Sequence, residues 1–145
     1  MRIKPEGMDL EWFAVDRDGH LGFFTSNGSR ILPEPVLRSW DAWQWIRQTM
    51  KTLPRPGVGT LVVTREGNQE DWIEMAARGL FAYDFNPHDP AMDEEGDYQR
   101  IATPSQALIV DALDERIRRE LAAVTMKTLC FAETEGIGKD RVLAL

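Results

Sequence analysis

The fold is decided by residues 12–24, WFAVDRDGHLGFF, near the start of the 145-residue chain. Two apolar runs, residues 12–15 and 21–24, flank the turn-forming residues 16–19. Asp and Gly between two runs of strand-favouring residues predict a β-hairpin. Both runs have apolar side chains at consecutive positions, so we expect both faces of these strands to be covered.

The turn itself, residues 16–20 with the sequence DRDGH, also resembles the start of a calcium-binding loop. Such a loop needs a bidentate Glu at its twelfth position, and the twelfth residue counted from Asp16 is Asn27. We therefore interpret the stretch as a hairpin turn, for which Asp and Gly are the usual residues.

The rest of the chain alternates helical and strand-like patterns. Apolar spacing predicts a long helix after Pro33 that ends at Leu53, a helix after Asn68, and a third over residues 111–123. Strands are predicted at residues 59–64, 80–85, 98–103 and 124–133, and residues 107–110 fit either a strand or the start of a helix. Because the opening hairpin requires an antiparallel pair, this order predicts a single α+β domain over residues 1–145. We expect a mixed, mostly antiparallel sheet with about three helices packed on it.

Composition excludes several classes of protein. With 43% hydrophobic and 28% charged residues, the chain has the profile of a globular domain and not of a disordered segment. The N-terminus lacks the apolar segment of a secretory signal, and the apolar runs are far shorter than the roughly twenty residues of a membrane span. The single cysteine, Cys130, cannot form an intramolecular disulfide. We expect a soluble, cytoplasmic protein.

The net charge of −7 is concentrated in one segment. Between residues 84 and 97 the chain has six acids and neither Lys nor Arg; the acids are Asp84, Asp89, Asp93, Glu94, Glu95 and Asp97. Without these six, the 24 acidic residues would fall to 18, against 17 basic residues. A chain without a basic footprint is not expected to bind nucleic acid.

Residues 86–96 are predicted to form an acidic loop, which has three interpretations. It is a solvated surface that aids solubility, a docking surface for a basic partner, or a site for a divalent cation. For the metal alternative the candidate ligands are Asp84, His88 and Asp89. Paired carboxylates in the same segment are also suited to the acid–base chemistry of a small hydrolytic enzyme.

The other motifs give no complete site. The stretch GIGKD at residues 136–140 lacks the first glycine and the Ser or Thr of a phosphate-binding loop. Cys130 lies between Leu129 and Phe131, a context that favours a small buried side chain over a nucleophile. A zinc site built from the two histidines, Cys130 and acids is possible, although no zinc-site spacing is present. We expect no cofactor.

Trp45 is the one aromatic residue that the helical pattern leaves off the apolar face. The other tryptophans, Trp12, Trp40, Trp43 and Trp72, are most simply core residues. Trp45 is either a partly covered surface residue or an anchor at an interface, where tryptophan is enriched.

Three stretches carry a resemblance: residues 12–25, WFAVDRDGHLGFFT; residues 80–84, LFAYD; and residues 98–105, YQRIATPS. They resemble a loose group of small uncharacterised bacterial proteins with a WFAVDxDGHxGxF hairpin and a YxRIAxPS segment. The likeness covers about half the chain and implies no catalytic residue. By size, charge and architecture, the chain is also similar to bacterial immunity proteins, which neutralise toxins.

Together these features predict a non-enzymatic protein-binding module, immunity-like or inhibitor-like, that acts by occlusion. Its binding surface would combine Trp45 with Asp89, Asp93, Glu94, Glu95 and Asp97, and its partner would be a protein with a basic surface. The alternatives are a metal-dependent or hydrolytic enzyme that uses residues 84–97, and a structural subunit of a homo-oligomer.

Overall fold

The structure, a computed structural model, describes residues 2–4, 7–89 and 92–145, with residues 92–94 described in their backbone alone. Its strands are β1 (Glu11–Asp16), β2 (Leu21–Thr25), β3 (Gly59–Leu61), β4 (Phe81–Asp89), β5 (Met92–Pro104), β6 (Thr125–Met126) and β7 (Gly136–Gly138). Its α-helices are α1 (Glu34–Arg38), α2 (Trp40–Met50), α3 (Glu70–Ala77), α4 (Glu115–Leu121) and α5 (Lys139–Leu143). None of the described helices is long and apolar enough to cross a membrane.

The seven strands of the described chain form one mixed sheet. Its order is β3-β5-β4-β2-β1-β6, and β7 also pairs with β5. The pairs β1–β2, β3–β5, β4–β5 and β5–β7 are antiparallel, whereas β2–β4 and β1–β6 are parallel. The predicted opening hairpin and the α+β class with a mostly antiparallel mixed sheet are therefore confirmed.

A row of stacked aromatic rings crosses the middle of the sheet. Trp12 stacks on Phe24 with ring centroids 4.1 Å apart, and Phe24 stacks on Tyr83 at 5.0 Å. Tyr98 packs edge-on against Trp12 and Phe24. The Trp12 indole donates to the Tyr98 hydroxyl, which donates to the carbonyl of Ile31 at 2.6 Å. Because Trp12, Phe24 and Tyr83 lie on three adjacent strands, this row stabilises the register of β1, β2 and β4.

The predicted long helix after Pro33 is in fact two helices. Ser39 has φ −118° and ψ 47°, outside the helical region, and separates α1 from α2. Its carbonyl accepts the first hydrogen bond of α2, from the Trp43 amide. Serine is common at helix ends, although the Ser39 side chain makes no capping hydrogen bond to α2.

The predicted acidic loop over residues 86–96 was wrong. Residues 86–89 belong to β4 and residues 92–96 to β5, and these two antiparallel strands, the β4–β5 hairpin, pair with Asn86 opposite Asp97 and Pro87 opposite Gly96. Residues 90 and 91 of the predicted loop lie outside the described residues. An added Cβ at Gly96 would lie 2.4 Å from the Asn86 carbonyl oxygen, so glycine is what allows the two strands to approach. β2 pairs with β4 only as far as Asp84, which explains how Pro87 is tolerated in the strand beyond it.

The predicted strand over residues 124–133 was also wrong, because only Thr125–Met126 is a strand. The following segment is irregular. Groups of the β1–β2 hairpin form hydrogen bonds with its buried backbone. The Phe131 amide donates to Asp16 Oδ2 at 2.8 Å, and the Arg17 amide donates to the Leu129 carbonyl at 2.9 Å. The apolar alternation of this stretch therefore reflects individual buried side chains and not a pleated strand.

Three smaller boundaries differ from the prediction. The strand expected over residues 59–64 is limited to β3, and the helix expected over residues 111–123 is limited to α4. Asp114 forms the cap of α4, with Oδ1 accepting from the Arg116 amide at 2.8 Å. Over residues 107–110 the chain makes an isolated bridge between Ile109 and His20, and a 3₁₀ turn, Val110–Ala112, follows.

Gly59 allows α3 to pack directly on β3. A Cβ at this position would lie 2.2 Å from the Ile73 carbonyl oxygen and 2.8 Å from the Ala76 side chain. We expect Gly59→Ala to lower the free energy of unfolding by about 1–3 kcal/mol, the usual cost of overpacking. The measurement is urea denaturation. Gly136→Ala in β7 is the control, since its Cβ would meet only Asp97 at 3.7 Å. Equal effects of the two changes would contradict the steric explanation.

Candidate functional site

A cleft of about 820 Å³ opens over one end of β2 and β4. Residues before β1, in α2, in the loop before α3 and in α3 complete its walls. This volume is within the range of about 300–1,000 Å³ that ligand pockets occupy. We call it the Asp84 cleft, after the buried carboxyl group in its wall.

A chain of hydrogen bonds joins three side chains of the cleft. The parallel register of β2 and β4 places Thr25 opposite Asp84, and their Oγ1 and Oδ1 atoms are 2.6 Å apart. The indole of Trp72, on α3, donates to Thr25 Oγ1 at 3.1 Å. The Thr25 hydroxyl therefore accepts from Trp72 and donates its own proton to Asp84. One helix and two strands thus fix the position of this carboxyl group.

Burial raises the pKa of Asp84 above its ordinary value, because the charged form loses hydration. The hydrogen bond from Thr25 and the charge of Arg65 act in the opposite direction, but burial is the largest effect. Only 6% of the residue is exposed. Asp84 consequently retains its proton to a higher pH than an exposed aspartate.

Arg65 forms a long ion pair with this carboxyl group. Its Nε is 3.6 Å from Asp84 Oδ2 and is a buried nitrogen with no hydrogen-bond partner within the described part of the chain. The guanidinium is instead held by amide oxygens, from Gln99 at 2.9 Å and from Asn86 at 3.5 Å. Both amides belong to the β4–β5 hairpin, so Arg65 connects the cleft to that hairpin.

The opposite wall carries a second charge cluster. Glu11 Oε1 accepts from Arg47 Nε at 2.6 Å and from Lys51 Nζ at 2.9 Å. Arg47 also donates to the side chain of Gln44 at 3.0 Å. Both cations come from the α2 region and share one carboxylate oxygen on β1, so Glu11 balances one of their two positive charges.

The cleft as a whole is acidic and partly aromatic. Its five acidic residues are Asp9, Glu11, Glu66, Asp71 and Asp84, and its three basic residues are Arg47, Lys51 and Arg65. Two half-buried tryptophans, Trp40 and Trp72, also line it. Carboxylates next to aromatic rings are chemically suited to a planar or quaternary cation.

The acidic residues predicted as a partner surface lie on the β4–β5 hairpin. Glu95 is exposed and pairs with Lys139 at 2.7 Å, and this hydrogen bond lowers the pKa of the Glu95 carboxyl. Asp97 Oδ1 is 3.7 Å from His88 Nε2, and Asp89 is also exposed. The side chains of Asp93 and Glu94 lie outside the described residues. The hairpin therefore presents acids of which some have basic neighbours.

The predicted metal ligands Asp84, His88 and Asp89 do not form a group of converging ligand atoms among the described residues. Asp84 faces Thr25 and Arg65 in the cleft, whereas His88 lies beside Asp97 on the hairpin.

Trp45 is partly covered and not fully exposed. It packs against the core, and the Arg116 guanidinium carbon is 4.0 Å from the centroid of its ring. The helix that carries it, α2, contacts β1, whereas the acids lie on β4 and β5. Of the two interpretations of Trp45, its burial favours the partly covered residue.

Sequence patterns missed Glu11, Thr25, Arg65 and Trp72 as site residues. They come from four different segments, so no local spacing connects them. The one available signal was Thr25 at the end of a strand, where polar residues of neighbouring strands can meet.

Comparison with protein-family models, with curated proteins and with solved structures finds no match to this chain.

The environment of Asp84 predicts a characteristic titration. We expect NMR titration of the carboxyl carbon to place the pKa of Asp84 above the roughly 3.9 of a free aspartate. Thr25→Val and Arg65→Gln each remove an interaction that lowers this pKa, so each should raise it further. Arg47→Gln, which instead changes the Glu11 cluster, is the control and should shift it less.

The raised pKa of Asp84 also makes the stability of the fold depend on pH. The folded state binds the Asp84 proton more tightly than the unfolded state does. The stabilisation that this proton gives is therefore complete below the pKa of Asp84 in the unfolded state, and it is lost as pH rises through the pKa of Asp84 in the folded state. Asp84→Asn should remove that pH dependence, and Asp111→Asn, at an exposed site, should not. An unchanged stability profile for Asp84→Asn would contradict the assignment.

Proposed function

We propose that this protein is a non-enzymatic binding module that recognises a basic segment of another protein, with one arginine side chain of that partner bound in the Asp84 cleft. The observation that carries the proposal is the buried Asp84 carboxyl group in a cleft with more acids than bases and with two tryptophans. Occlusion of a basic surface, as an immunity-like or inhibitor-like protein of a bacterial cytoplasm would do, is the role this chemistry supports.

Arginine fits the cleft better than a compact cation does. Its guanidinium is planar, stacks on aromatic faces and donates up to five hydrogen bonds, whereas lysine offers a strongly hydrated point charge. Trp40 and Trp72 supply the aromatic faces, and Asp71 and Asp84 supply acceptor oxygens. The cations Arg47 and Lys51 are held by Glu11, so they repel an incoming guanidinium less than unpaired cations would.

The acidic hairpin extends this surface. Asn86 accepts from Arg65 at the wall of the cleft, and Asp89 and Glu95 are exposed farther along the same hairpin. Acids outside the contact itself act mainly on the rate of encounter with a basic partner, through long-range attraction that salt screens. The cleft would therefore supply short-range recognition, and the hairpin would supply steering.

A second candidate function is favoured by the raised pKa of Asp84. A buried carboxyl group whose pKa is raised above its ordinary value, next to a cation in a cleft, has properties of a general acid in a small hydrolytic enzyme. The two functions differ in their dependence on charge. A binding site for arginine requires the ionised carboxylate and strengthens as pH rises through the pKa of Asp84, whereas a general acid loses activity over that range.

The arginine specificity is testable with a short lysine-containing peptide that has one central arginine. We expect it to bind with weak but measurable affinity and to shift the indole N–H signals of Trp40 and Trp72 in NMR spectra. The control peptide has citrulline, which is nearly isosteric but neutral, in place of arginine. Loss of a charge-assisted hydrogen bond should weaken binding about tenfold or more. Equal binding of the two peptides, or shifts confined to residues outside the cleft, would contradict the proposal.

The steering role of the hairpin predicts a kinetic effect. We expect the combined variant D89N/E95Q/D97N to slow association with the arginine peptide and to reduce the dependence of that rate on ionic strength. The dissociation rate should change less, because these acids lie outside the cleft. Stopped-flow fluorescence of the cleft tryptophans measures both rates. D111N/D114N/E115Q, which neutralises three exposed acids in the 3₁₀ turn before α4 and at the start of α4, is the matched control. An equal effect of the control would show that net charge alone is responsible.

A further inference from the structure

Four side chains with metal-binding atoms converge on the turn of the β1–β2 hairpin. They are Asp16, Asp18 and His20 from the turn and Cys130 from the segment packed against it, and their ligand atoms all lie within 4.8 Å of one another. No other such group occurs within the residues that the structure describes. The cluster is separate from the Asp84 cleft, which none of its members lines.

The donor set distinguishes between metals. Two carboxylates, an imidazole and a thiolate offer oxygen, nitrogen and sulfur, and zinc takes four such ligands in tetrahedral geometry. Calcium and magnesium prefer sites made of oxygen alone, so the cysteine and histidine disfavour them. Three of the four residues lie within one turn, and Cys130 lies more than a hundred residues later. This spacing matches no sequence motif for zinc.

Asp16 organises the cluster before any ion is bound. Its Oδ1 accepts from the amides of Asp18 and His20, both at 2.9 Å, and its Oδ2 accepts from the Phe131 amide at 2.8 Å. A carboxylate oxygen has two acceptor positions, so Oδ2 retains one. Asp16 thereby holds together the hairpin turn and the segment around Cys130. It also leaves an acceptor position on Oδ2, the oxygen nearest His20.

The His20 ring supplies a second observation. Its Nδ1 is a buried nitrogen with no hydrogen-bond partner among the residues that the structure describes, and it lies 3.7 Å from Asp16 Oδ2. That distance is too long for a hydrogen bond, and a buried polar atom without a partner is costly. The distance between these two atoms does suit two ligands of one ion. Zinc bonds of about 2.0–2.2 Å to nitrogen and oxygen at a tetrahedral angle separate the two ligand atoms by roughly 3.4 Å.

We propose that Asp16, Asp18, His20 and Cys130 bind one zinc ion. The side chain of Asp18 is 48% exposed, so the ion would enter from this side, while Asp16 and Cys130 are buried. The ion would connect the β1–β2 turn to the segment around Cys130 and so close a loop of more than a hundred residues. It would stabilise the fold, independently of what the Asp84 cleft binds.

The test uses the full chain, first treated with a chelator, and zinc and cobalt(II) as probes. We expect one zinc ion per chain by elemental analysis after dialysis. Bound cobalt should show the near-ultraviolet absorption of a thiolate ligand and the intense visible bands of tetrahedral coordination. His20→Gln and Cys130→Ser should each weaken zinc binding by more than the roughly 10- to 100-fold that loss of an outer-shell partner costs. His88→Gln, which removes the chain's other histidine, should leave binding unchanged.

Thermal unfolding provides a readout independent of stoichiometry. An ion that binds only the folded state raises the midpoint, so zinc should raise it for the intact chain and for His88→Gln but not for Cys130→Ser. Substoichiometric zinc, a cobalt spectrum without a thiolate band, or equal loss of zinc in His88→Gln would overturn the proposal. If Cys130→Ser unfolds, Asp18→Asn at the exposed ligand replaces it, and undiminished zinc affinity in that variant would equally count against the site.

Discussion

The parallel pairing of β2 with β4 positions both the aromatic core and the wall of the Asp84 cleft. It aligns Phe24 with Tyr83 in the core and, one residue later, Thr25 with Asp84 at the wall of the cleft. Side chains alternate between faces along a strand, so a shift of one residue would remove both contacts together. The stacked rings that stabilise the sheet therefore also determine where the buried carboxyl group lies, and core packing and site geometry cannot vary independently.

The Asp84 carboxyl group is buried at a cost in free energy that its neighbours only partly offset. Thr25 donates one hydrogen bond, and the nearest cation, Arg65, stays 3.6 Å away because two hairpin amides hold its guanidinium. A second cation that came close to this carboxylate would favour its ionised form and be stabilised in return, since electrostatic interactions strengthen in a partly dehydrated cleft. This reciprocity is why a cationic ligand follows from the geometry better than a neutral one.

Sequence patterns predicted the parts of the fold that depend on local signals. The hairpin of β1 and β2 follows from a turn flanked by apolar runs. The prolines placed the end of the first helical segment at Leu53, three residues beyond the observed end of α2 at Met50. The patterns failed where distant residues decide the structure. Phe131 sits in irregular backbone because Asp16, 115 residues earlier, satisfies its amide. The pairing of β4 with β5 beyond Asp84 was not predicted, because the proline and acids of the hairpin are residues that are typical of loops. Most of the Asp84 cleft could not be predicted from the sequence, because Thr25, Arg65 and Trp72 come together only once the sheet and α3 have formed.

A double-mutant cycle measures whether Asp84 and an arginine of the partner interact with each other. Binding would be measured for the intact chain and Asp84→Asn, each with the arginine peptide and its citrulline counterpart. We expect a coupling energy of about 1.5 kcal/mol or more, as for a charge-assisted contact with low exposure to water. Effects that add to within about 0.5 kcal/mol would show that the two groups do not meet, and that the arginine does not bind at Asp84.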